Sequence, residues 1–236
     1  FKTNEEGIDV HWLVNPYSNN MSYSERIYSF IRFSIKASAR AAGLEGDVVF
    51  ATSTPLTIVL PALYAKYRKR IPMVFEVRDL WPEVPIALGA LGNPMLRYGA
   101  KLLEWIAYQQ SSRIVALSPG MAAGIARRGI PKNKISTIPN GCDFALFRQA
   151  PDKGQMIRRK LGLRDRQPLV VYTGTFGRVN GVCYLVSVAA FMKVLDSEIH
   201  FLLVGDGQEK DCLLKRAEES GVLGSNLTVW PSITKA

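Results

Sequence analysis

The sequence predicts an α/β protein in which helices cover parallel sheets, and three observations lead to this fold class. Short apolar runs typical of buried strands alternate with longer segments of helical periodicity. Glycine, proline, asparagine and serine separate the two kinds of segment. The pattern restarts after a polar, charge-rich stretch at 149–167. We therefore predict two Rossmann-like domains, at 1–148 and 168–236, joined by a linker at 149–167, with only about half of the second domain present.

Local signals define the elements of the first predicted domain. A strand is predicted at 9–14, and after a loop at 15–23 Ser24 is expected to cap a helix that reaches about Ala42 and ends at Gly43. The remaining elements are a strand at 47–51, a helix beginning near Pro55, a strand at 72–77, a helix opened by Asn93 and Pro94 and reaching about Gln110, a strand at 113–117, a helix opened by Ser118 and Pro119 and reaching 127–129, and a strand at 135–138.

The second predicted domain opens on a strand at 169–172 that runs into a glycine-spaced turn and then into a periodic segment at 182–194. The turn contains Gly174, Gly177, Arg178 and Gly181. Such a turn lets backbone amides and a helix N-terminus face an anion, as in a nucleotide phosphate site, although tight turns also need glycine where nothing binds. Further elements are a strand at 199–204, the turn 205–207, a helix at 209–220 and a strand at 227–230.

Composition narrows the class of protein and of partner. The chain has 236 residues, 47% of them hydrophobic, which indicates a globular protein with real cores. Its formal net charge of +10 favours anionic partners: phosphorylated sugars or nucleotides, anionic lipid surfaces, or nucleic acid. The three cysteines form no Cys-x-x-Cys pair, so neither a disulfide framework nor a zinc site is expected, and a reducing compartment fits best.

One uncharged segment imitates a membrane span. Residues 48–65 carry no charge and precede the basic stretch 66–70. Pro55 and Pro61 fall inside the segment, and 51–54 form a polar break. We therefore predict a buried strand, a turn and a helix here instead of a span.

Four segments together carry a family resemblance: Phe-Glu-Val-Arg-Asp-Leu-Trp-Pro-Glu at 75–83, Ile-Pro-Asn-Gly-Cys-Asp at 138–143, the loop 174–181, and Val-Gly-Asp-Gly at 204–207. In this order they resemble the family 4 retaining glycosyltransferases of the GT-B fold, in particular the bacterial surface-polysaccharide branch that includes N-acetylated aminosugar transferases. The resemblance implies two Rossmann-like domains facing across a cleft. The C-terminal domain would hold the sugar nucleotide and the N-terminal domain the acceptor.

The resemblance also implies that the chain is truncated at both ends. Members of the family begin with a strand and a glycine-rich loop that precede anything visible here, so the first domain is expected to lack its first strand. The family's pair of glutamates that holds the nucleotide ribose would lie beyond 236. We therefore expect a hexosyltransferase fragment that is inactive by itself.

Donor binding is assigned by the resemblance to Gly174, Thr175, Gly177, Arg178, Asn180, Gly181, Gly205, Asp206 and Gly207. Many relatives carry arginine and lysine where Thr175 and Asn180 stand, so Arg178 is the candidate for the positive charge that the leaving diphosphate needs. No Asp-x-Asp motif occurs, which suits metal-independent transfer with no metal and no cofactor, the nucleoside-diphosphate sugar being a substrate. Gly205 and Gly207 would let the backbone approach the base or ribose.

The catalytic candidates follow the strand at 72–77, since carboxyl ends of parallel strands are where open α/β sheets place ligands. Many relatives carry histidine where Arg78 stands, followed by an aspartate that matches Asp79. Asp79 and Glu83 could orient or deprotonate an acceptor hydroxyl, and Arg78 could hold an acceptor phosphate. Alternatively, Arg78 and Asp79 pair with each other, or Asp79 caps the following turn.

Other polar residues receive structural interpretations. His11 and His200 both sit in apolar strand contexts and are predicted to be packed core residues. Asn140 and Gly141 are predicted to form a turn at the interdomain cleft.

Membrane contact is a further expectation. Arg32, Lys36 and Arg40 recur at four-residue spacing on one helix beside Tyr28, Phe30 and Phe33, and 66–70 add a second basic cluster. A stripe of charge is equally compatible with a solvated face. The resemblance adds that acceptors in this family are often sugars on a polyprenyl carrier, so the expected location is the cytoplasm, peripheral on the inner face of the plasma membrane.

The leading hypothesis is therefore transfer of a sugar, N-acetylated in this branch, from a nucleoside diphosphate to a lipid-linked or saccharide acceptor in cell-surface polysaccharide synthesis. Two alternatives stay open. A sugar-nucleotide epimerase would share the architecture, although the shortage of histidine weighs against it. A non-catalytic basic protein would bind nucleic acid or anionic membrane through its charge. The leading hypothesis itself includes no nucleic-acid partner.

Overall fold

The computed structural model describes residues 1–18, 21–83, 86, 89, 91–145 and 151–233. The chain divides into two compact units, Phe1–Gly141 and Cys142–Ala236. Each unit has its own parallel sheet and its own buried apolar cluster. The predicted α/β class with parallel sheets is confirmed.

The first unit begins with an antiparallel hairpin of β1 (Lys2–Glu5) and β2 (Ile8–His11). Glu6 and Gly7, with φ of 52° and 88°, form the two-residue turn, and hairpin turns of this kind require positive φ. The strand predicted at 9–14 is therefore shifted, and it pairs outside the parallel sheet. The hairpin's side chains are mostly exposed, so its strands lack the apolar pattern that marks a buried strand.

Helix α1 (Tyr23–Ala42) begins two residues earlier than its predicted cap implies. Its N-cap is Ser22, not Ser24: Ser22 Oγ accepts a hydrogen bond from the Glu25 amide, and the Glu25 carboxylate accepts one from the Ser22 amide at 2.8 Å. This reciprocal pair needs a glutamate three residues after the cap, which only Ser22 has. The predicted end at Gly43 is confirmed.

A four-stranded parallel sheet forms the centre of the first unit, with strand order β3-β4-β5-β6. Its elements, in chain order, are β3 (Val49–Thr52), a 3₁₀ turn at Leu56–Ile58, α2 (Val59–Lys69), β4 (Met73–Val77), α3 (Pro94–Gln110), β5 (Arg113–Ala116), α4 (Pro119–Arg127), a 3₁₀ turn at Lys132–Lys134 and β6 (Ile135–Thr137). Because each strand pairs with the next in sequence, right-handed crossovers place α2, α3 and α4 on one face of the sheet.

The first core lies between that face and the helices. Met73, Phe75 and Val77 of β4 alternate inward, and Phe75 packs against Tyr108 of α3 with ring centroids 6.2 Å apart. The helix start predicted at Asn93 and Pro94 is confirmed, since Asn93 accepts from the Met95 amide at 2.8 Å. The segment that imitates a membrane span is a strand, a turn and part of α2, and none of the helices in the described ranges has the length and apolar character to cross a bilayer.

The second unit is a three-stranded parallel sheet of order β7-β8-β9. Its elements are α5 (Pro151–Lys160), β7 (Leu169–Thr173), α6 (Cys183–Leu195), β8 (His200–Val204), α7 (Lys210–Glu219) and β9 (Leu227–Trp230). All five residues of the central strand β8 are buried. Phe201 and Leu203 of this strand pack with Val186 and Ala189 of α6 and with Leu213 and Ala217 of α7 to form the second core.

The stretch predicted as a linker contains α5. Its basic end, which includes Arg158, suits a helix C-terminus, where cations stabilise the carbonyl end. Arg158 also donates to the carbonyl oxygen of Gln167 at 2.6 Å, which fastens the helix to the segment before β7. High polarity here reflects an exposed helix, not an unstructured connection. Along the chain, the boundary between the two compact units falls between Gly141 and Cys142, before the predicted linker at 149–167 begins.

Candidate functional site

The two glycine loops of the second unit lie against each other at the carboxyl ends of β7 and β8. The Gly174 amide donates to the carbonyl oxygen of Val204 at 3.0 Å, and the Phe176 amide donates to that of Asp206 at 2.9 Å. Phe176 in turn accepts at 2.9 Å from the amide of Glu209, just before α7. The structure thus brings together the donor-binding candidates of 174–181 and 205–207.

Gly205 and Gly207 are needed where the loops touch. A Cβ atom on Gly205 would lie 1.9 Å from the carbonyl oxygen of Gly174, and one on Gly207 would lie 2.5 Å from that of Phe176. Real Cβ atoms do not approach so closely. The predicted role of these glycines was a close approach of backbone to nucleotide, whereas the close approach in the structure is between the two loops.

Asn180 braces the first loop from within. Its Nδ2 donates to the hydroxyl of Tyr172 at 3.0 Å and to the carbonyl oxygen of Thr175 at 2.7 Å. The Tyr172 hydroxyl donates to the same Thr175 oxygen at 2.9 Å. Both amide hydrogens of Asn180 are therefore used to hold the loop, and the Thr175 side chain is left exposed.

The first loop contains one arginine and leads into a helix N-terminus, and both are electrostatically positive. Arg178 is exposed, and no described residue forms a hydrogen bond or ion pair with it. Gly181 then leads into α6, whose first turn has no side-chain cap and no acidic residue. A helix N-terminus carries about half a positive charge, which favours an anion. The amides of Tyr184 and Leu185 in this turn already donate to the carbonyl oxygens of Gly181 and Val182 at 2.9 Å, so the helix dipole and the Arg178 side chain are what the loop offers to a phosphate group.

Asp206 supplies the one carboxylate of the paired loops. It accepts from the Gly207 amide at 2.8 Å and from Lys210 Nζ at 3.2 Å. These two bonds, that to Gly207 first, hold the pKa of Asp206 below its usual range. An exposed carboxylate that stays ionised can accept a hydrogen bond from a sugar hydroxyl.

A second polar cluster lies where β3 and β4 end in the first unit. The Arg78 amide donates to Ser53 Oγ at 2.9 Å, and the Arg78 guanidinium lies 3.4 Å from Asn140 Oδ1 and 3.7 Å from the Glu76 carboxylate. Asp79 accepts at 3.0 Å from the hydroxyl of Thr54. Arg78 and Asp79 thus have separate partners, and the alternative in which they pair with each other is not what the structure has.

Sequence reasoning missed Ser53, Thr54 and the side-chain role of Asn140. A signal for the first two was available: they follow β3 directly, as Arg78 and Asp79 follow β4, and neighbouring parallel strands end at the same edge of a sheet. Asn140 gave a weaker signal of the same kind, because it lies three residues after β6, which is two strands away from β4 in the same sheet.

Glu83 contacts a residue at the end of α4 and is not part of the cluster around Arg78 and Asp79. Its carboxylate forms an ion pair of 2.7 Å with Arg128, at the end of α4, and Arg128 Nε also lies 3.6 Å from the carboxylate of Glu104. Glu104 is only 4% exposed, and burial raises its pKa, partly offset by Arg128. These residues line a cavity of about 160 Å³ together with Leu80, Gly124 and Arg127.

The two histidines differ. His200 is buried in β8, its Nε2 lies 2.9 Å from Thr228 Oγ1, and burial lowers its pKa, so the predicted core role is confirmed. His11 is half-exposed and lies 3.1 Å from Arg40 Nε, so the core prediction is wrong for it. The reason is that β2 belongs to a solvated hairpin. Within the described ranges, no three His, Cys, Asp or Glu side chains gather as metal ligands would.

Comparison with known proteins identifies the family of the chain. The model of the family described as Glycosyltransferase Family 4 matches residues 2–146. The chain belongs to glycosyltransferase family 4. It is 24% identical over 197 residues to the probable glycosyltransferase WbjE of Pseudomonas aeruginosa, which covers 82% of this chain and 48% of WbjE. It is 23% identical over 165 residues to WcaI of Escherichia coli K12, a putative colanic acid biosynthesis glycosyl transferase, covering 67% of this chain and 39% of WcaI.

The fold is also that of solved glycosyltransferases. HepE of Anabaena, in complex with UDP and glucose, superposes with a TM-score of 0.66 at 19% identity, over 86% of this chain and 52% of HepE. This likeness confirms the predicted GT-B class of this family 4 chain. The chain spans about half the length of the curated relatives it matches.

Proposed function

We propose that this chain is part of a glycosyltransferase that moves a sugar from a nucleoside diphosphate to a lipid-linked or saccharide acceptor during cell-surface polysaccharide synthesis. The observation that carries the proposal is the pairing of the two glycine loops, of which the first contains Arg178, with no partner among the described residues, and leads into α6, whose start has no side-chain cap. Membership of family 4 favours this chemistry over the epimerase alternative. The names of WbjE and WcaI support the polysaccharide setting.

On the donor side, the diphosphate would lie against the first turn of α6 with Arg178 beside it. As the bond to the sugar breaks, the departing diphosphate gains negative charge, and a fixed cation and helix N-terminus stabilise that charge without reorganisation. Asp206 would accept from a hydroxyl of the donor. HepE binds UDP, so a uridine diphosphate sugar, N-acetylated in the branch that the sequence resembles, is the donor we propose. We further propose that transfer is retaining and independent of a metal.

On the acceptor side, Asp79 would accept the proton or hydrogen bond of the attacking hydroxyl. Thr54 orients the Asp79 carboxylate by donating to it. Arg78, steadied by Glu76 and Asn140, would hold a phosphate of a lipid-linked acceptor. Glu83 keeps a place among the candidates, although its ion pair with Arg128 occupies one of its carboxylate oxygens.

We place the reaction at the cytoplasmic face of a membrane. The three cysteines are free thiols, as in a reducing compartment, and a polyprenyl-linked acceptor would be presented at a lipid surface.

Calorimetric titration of UDP into the chain tests the donor half. We expect saturable binding that weakens roughly tenfold in Arg178→Gln, because a charge-assisted contact is lost. Arg159→Gln is the matched control, since Arg159 is an exposed arginine of α5 in the same unit. Absence of UDP binding together with absence of transfer by the full-length protein across a broad panel of sugar nucleotides would refute the proposal. Salt-sensitive DNA binding without any nucleotide response would favour a basic nucleic-acid binder instead.

A further inference from the structure

The outward sides of α2 and α3 expose apolar side chains in rows. Leu60, Tyr64 and Tyr67 follow helical spacing on α2, and Tyr98, Leu102 and Trp105 do so on α3. We call these six residues the aromatic face. Tyr98 is 70% and Trp105 53% exposed. The buried residues of both helices, such as Ala62 and Ala107, point the other way, toward the sheet.

The two rows belong to one surface. Helices α2 and α3 cover the same side of the sheet, and their C-terminal ends are tied together: Gln110 accepts from the Tyr67 hydroxyl at 2.6 Å and from Lys66 Nζ at 2.5 Å. Single exposed apolar residues are normal on protein surfaces, but contiguous rows on neighbouring helices indicate a surface that contacts something. Helix α1, which packs against α2, extends the surface with Tyr28, Ile31 and Ile35.

The charges on these helices point to an anionic partner. Glu25 and Glu104 are the acidic residues of the three helices, and Glu104 is buried, whereas Arg32, Arg68 and Lys101 are exposed. A second copy of this chain would bring like charges together, which is unfavourable at a net charge of +10. A nucleic acid would use the cations and rings but would gain little from exposed leucine and isoleucine.

We propose that the aromatic face docks onto an anionic phospholipid bilayer. Tyrosine and tryptophan rings settle at the level of the headgroups, leucine enters the acyl boundary, and the basic residues meet lipid phosphates. The inference extends the proposed function and rests on it in one respect, since a lipid-linked acceptor would lie in such a bilayer. The proposed membrane contact is the aromatic face and not the basic stripe of α1 that the sequence predicts.

The basic stripe predicted on α1 is partly engaged inside the unit. Lys36 Nζ donates to the carbonyl oxygen of Val14 at 2.5 Å, Arg40 contacts His11, and Phe30 stacks on Tyr17 with centroids 5.6 Å apart. These side chains face the first segments of the chain. The outward surface is instead formed by the rows described above.

Co-sedimentation with vesicles tests the apolar part. We expect the chain to bind vesicles of phosphatidylcholine mixed with phosphatidylglycerol, and to bind phosphatidylcholine alone weakly. The double variant Tyr98→Ser/Trp105→Ser should lower the partition coefficient by roughly tenfold or more, because two rings no longer enter the interface. Phe144→Ser/Met156→Ser is the matched control, since these side chains of the second unit are 82% and 52% exposed and lie on separate elements, and it should bind like the parent.

Variants that remove positive charge test the electrostatic contribution to vesicle binding. Arg68→Gln/Lys101→Gln should weaken binding to anionic vesicles by roughly fivefold per residue, and raised salt should have the same effect on the parent. Lys215→Gln/Arg159→Gln removes two exposed cations from the second unit and should change little. Trp105 gives a direct signal: a shift of emission to shorter wavelength on anionic vesicles that Trp105→Phe reduces.

Three results would overturn the inference: no binding to anionic vesicles, equal loss in the face and control variants, or self-association in ultracentrifugation that Tyr98→Ser/Trp105→Ser abolishes. UDP titration of the same variants keeps the two proposals apart. Unchanged UDP affinity with no vesicle binding would refute this inference alone, whereas vesicle binding through the aromatic face without any UDP binding would refute the proposed function alone.

Discussion

Gly205 lies so close to Gly174 that a Cβ atom on Gly205 would be 1.9 Å from the Gly174 carbonyl oxygen. This approach lets the Phe176 amide reach the Asp206 carbonyl oxygen, and it sets the spacing between Arg178's loop and Asp206. The geometry proposed for the donor therefore depends on one position without a side chain.

Gly205→Ala is expected to separate the loops. Overpacking of this kind costs about 1–3 kcal/mol, and we expect a lower melting temperature together with loss of UDP binding by tenfold or more. Calorimetry of unfolding and UDP titration measure the two effects. Gly154→Ala in α5 is the control, since nothing lies within 4 Å of a Cβ there and alanine favours a helix. Normal UDP affinity in Gly205→Ala would contradict the assignment.

Asn180→Ala removes both bonds that brace the first loop. Each is worth about 0.5–1.5 kcal/mol, so UDP affinity is expected to fall by roughly tenfold while the fold is kept. Titration of UDP into the variant measures this loss. Asn133→Ala, at an exposed position of the first unit, should leave binding unchanged. If Asn180→Ala binds UDP like the parent, the loop does not need this brace.

Asp79→Asn keeps the size of the side chain but removes its ability to take a proton. We expect kcat of the full-length enzyme to fall by about 10²–10⁴-fold with little change in KM for the donor. Thr54→Val should lower kcat less, because it only frees the Asp79 carboxylate from its orienting partner. Steady-state transfer assays provide the measurement, with Asp165→Asn as an exposed control. Full activity of Asp79→Asn would exclude Asp79 as the base.

Glu104 is expected to make stability depend on pH. Burial raises the pKa of Glu104 above its ordinary value of 4.5. Between pH 4.5 and the raised pKa, the folded state therefore binds more protons than the unfolded state. Stability from this group is therefore present below pH 4.5 and is lost as pH rises from 4.5 through the raised pKa. Glu104→Gln should flatten the profile and be more stable than the parent above that window.

Urea midpoints measured across the acidic and neutral range test this prediction. Glu219→Gln, an exposed change on α7, should leave the profile of the parent intact. A parent whose stability rises across the window, or a Glu104→Gln variant with the same slope as the parent, would contradict the assigned cause.

The sequence was sufficient for the elements with strong local signals. The apolar run of β8 marks a fully buried strand, and Asn93-Pro94 and Ser118-Pro119 mark helix starts that the structure has. The hairpin of β1 and β2 escaped prediction because Lys-Thr-Asn-Glu has neither apolar character nor alternation. A local signal for the α1 cap existed, since Glu25 stands three residues after Ser22.

The candidate site was predictable to the extent that it follows strand ends. The loops after β7 and β8 were identified, and the structure brings them together. The sequence did not predict contacts between segments that share no strand edge, such as the ion pair of Arg128 with Glu83. These depend on how neighbouring strands and helices align, which sequence spacing does not encode.

The separate cores of the two units have a consequence for how the chain melts. One is built around Phe75 and Tyr108 and the other around Phe176 and Leu203, and neither cluster includes a residue of the other. We expect heating to give more than a single all-or-none transition, so that one melting temperature does not describe the chain. A nucleotide held by the second unit would then shift only the transition of that unit, which makes the melting profile itself a reporter of where the ligand binds.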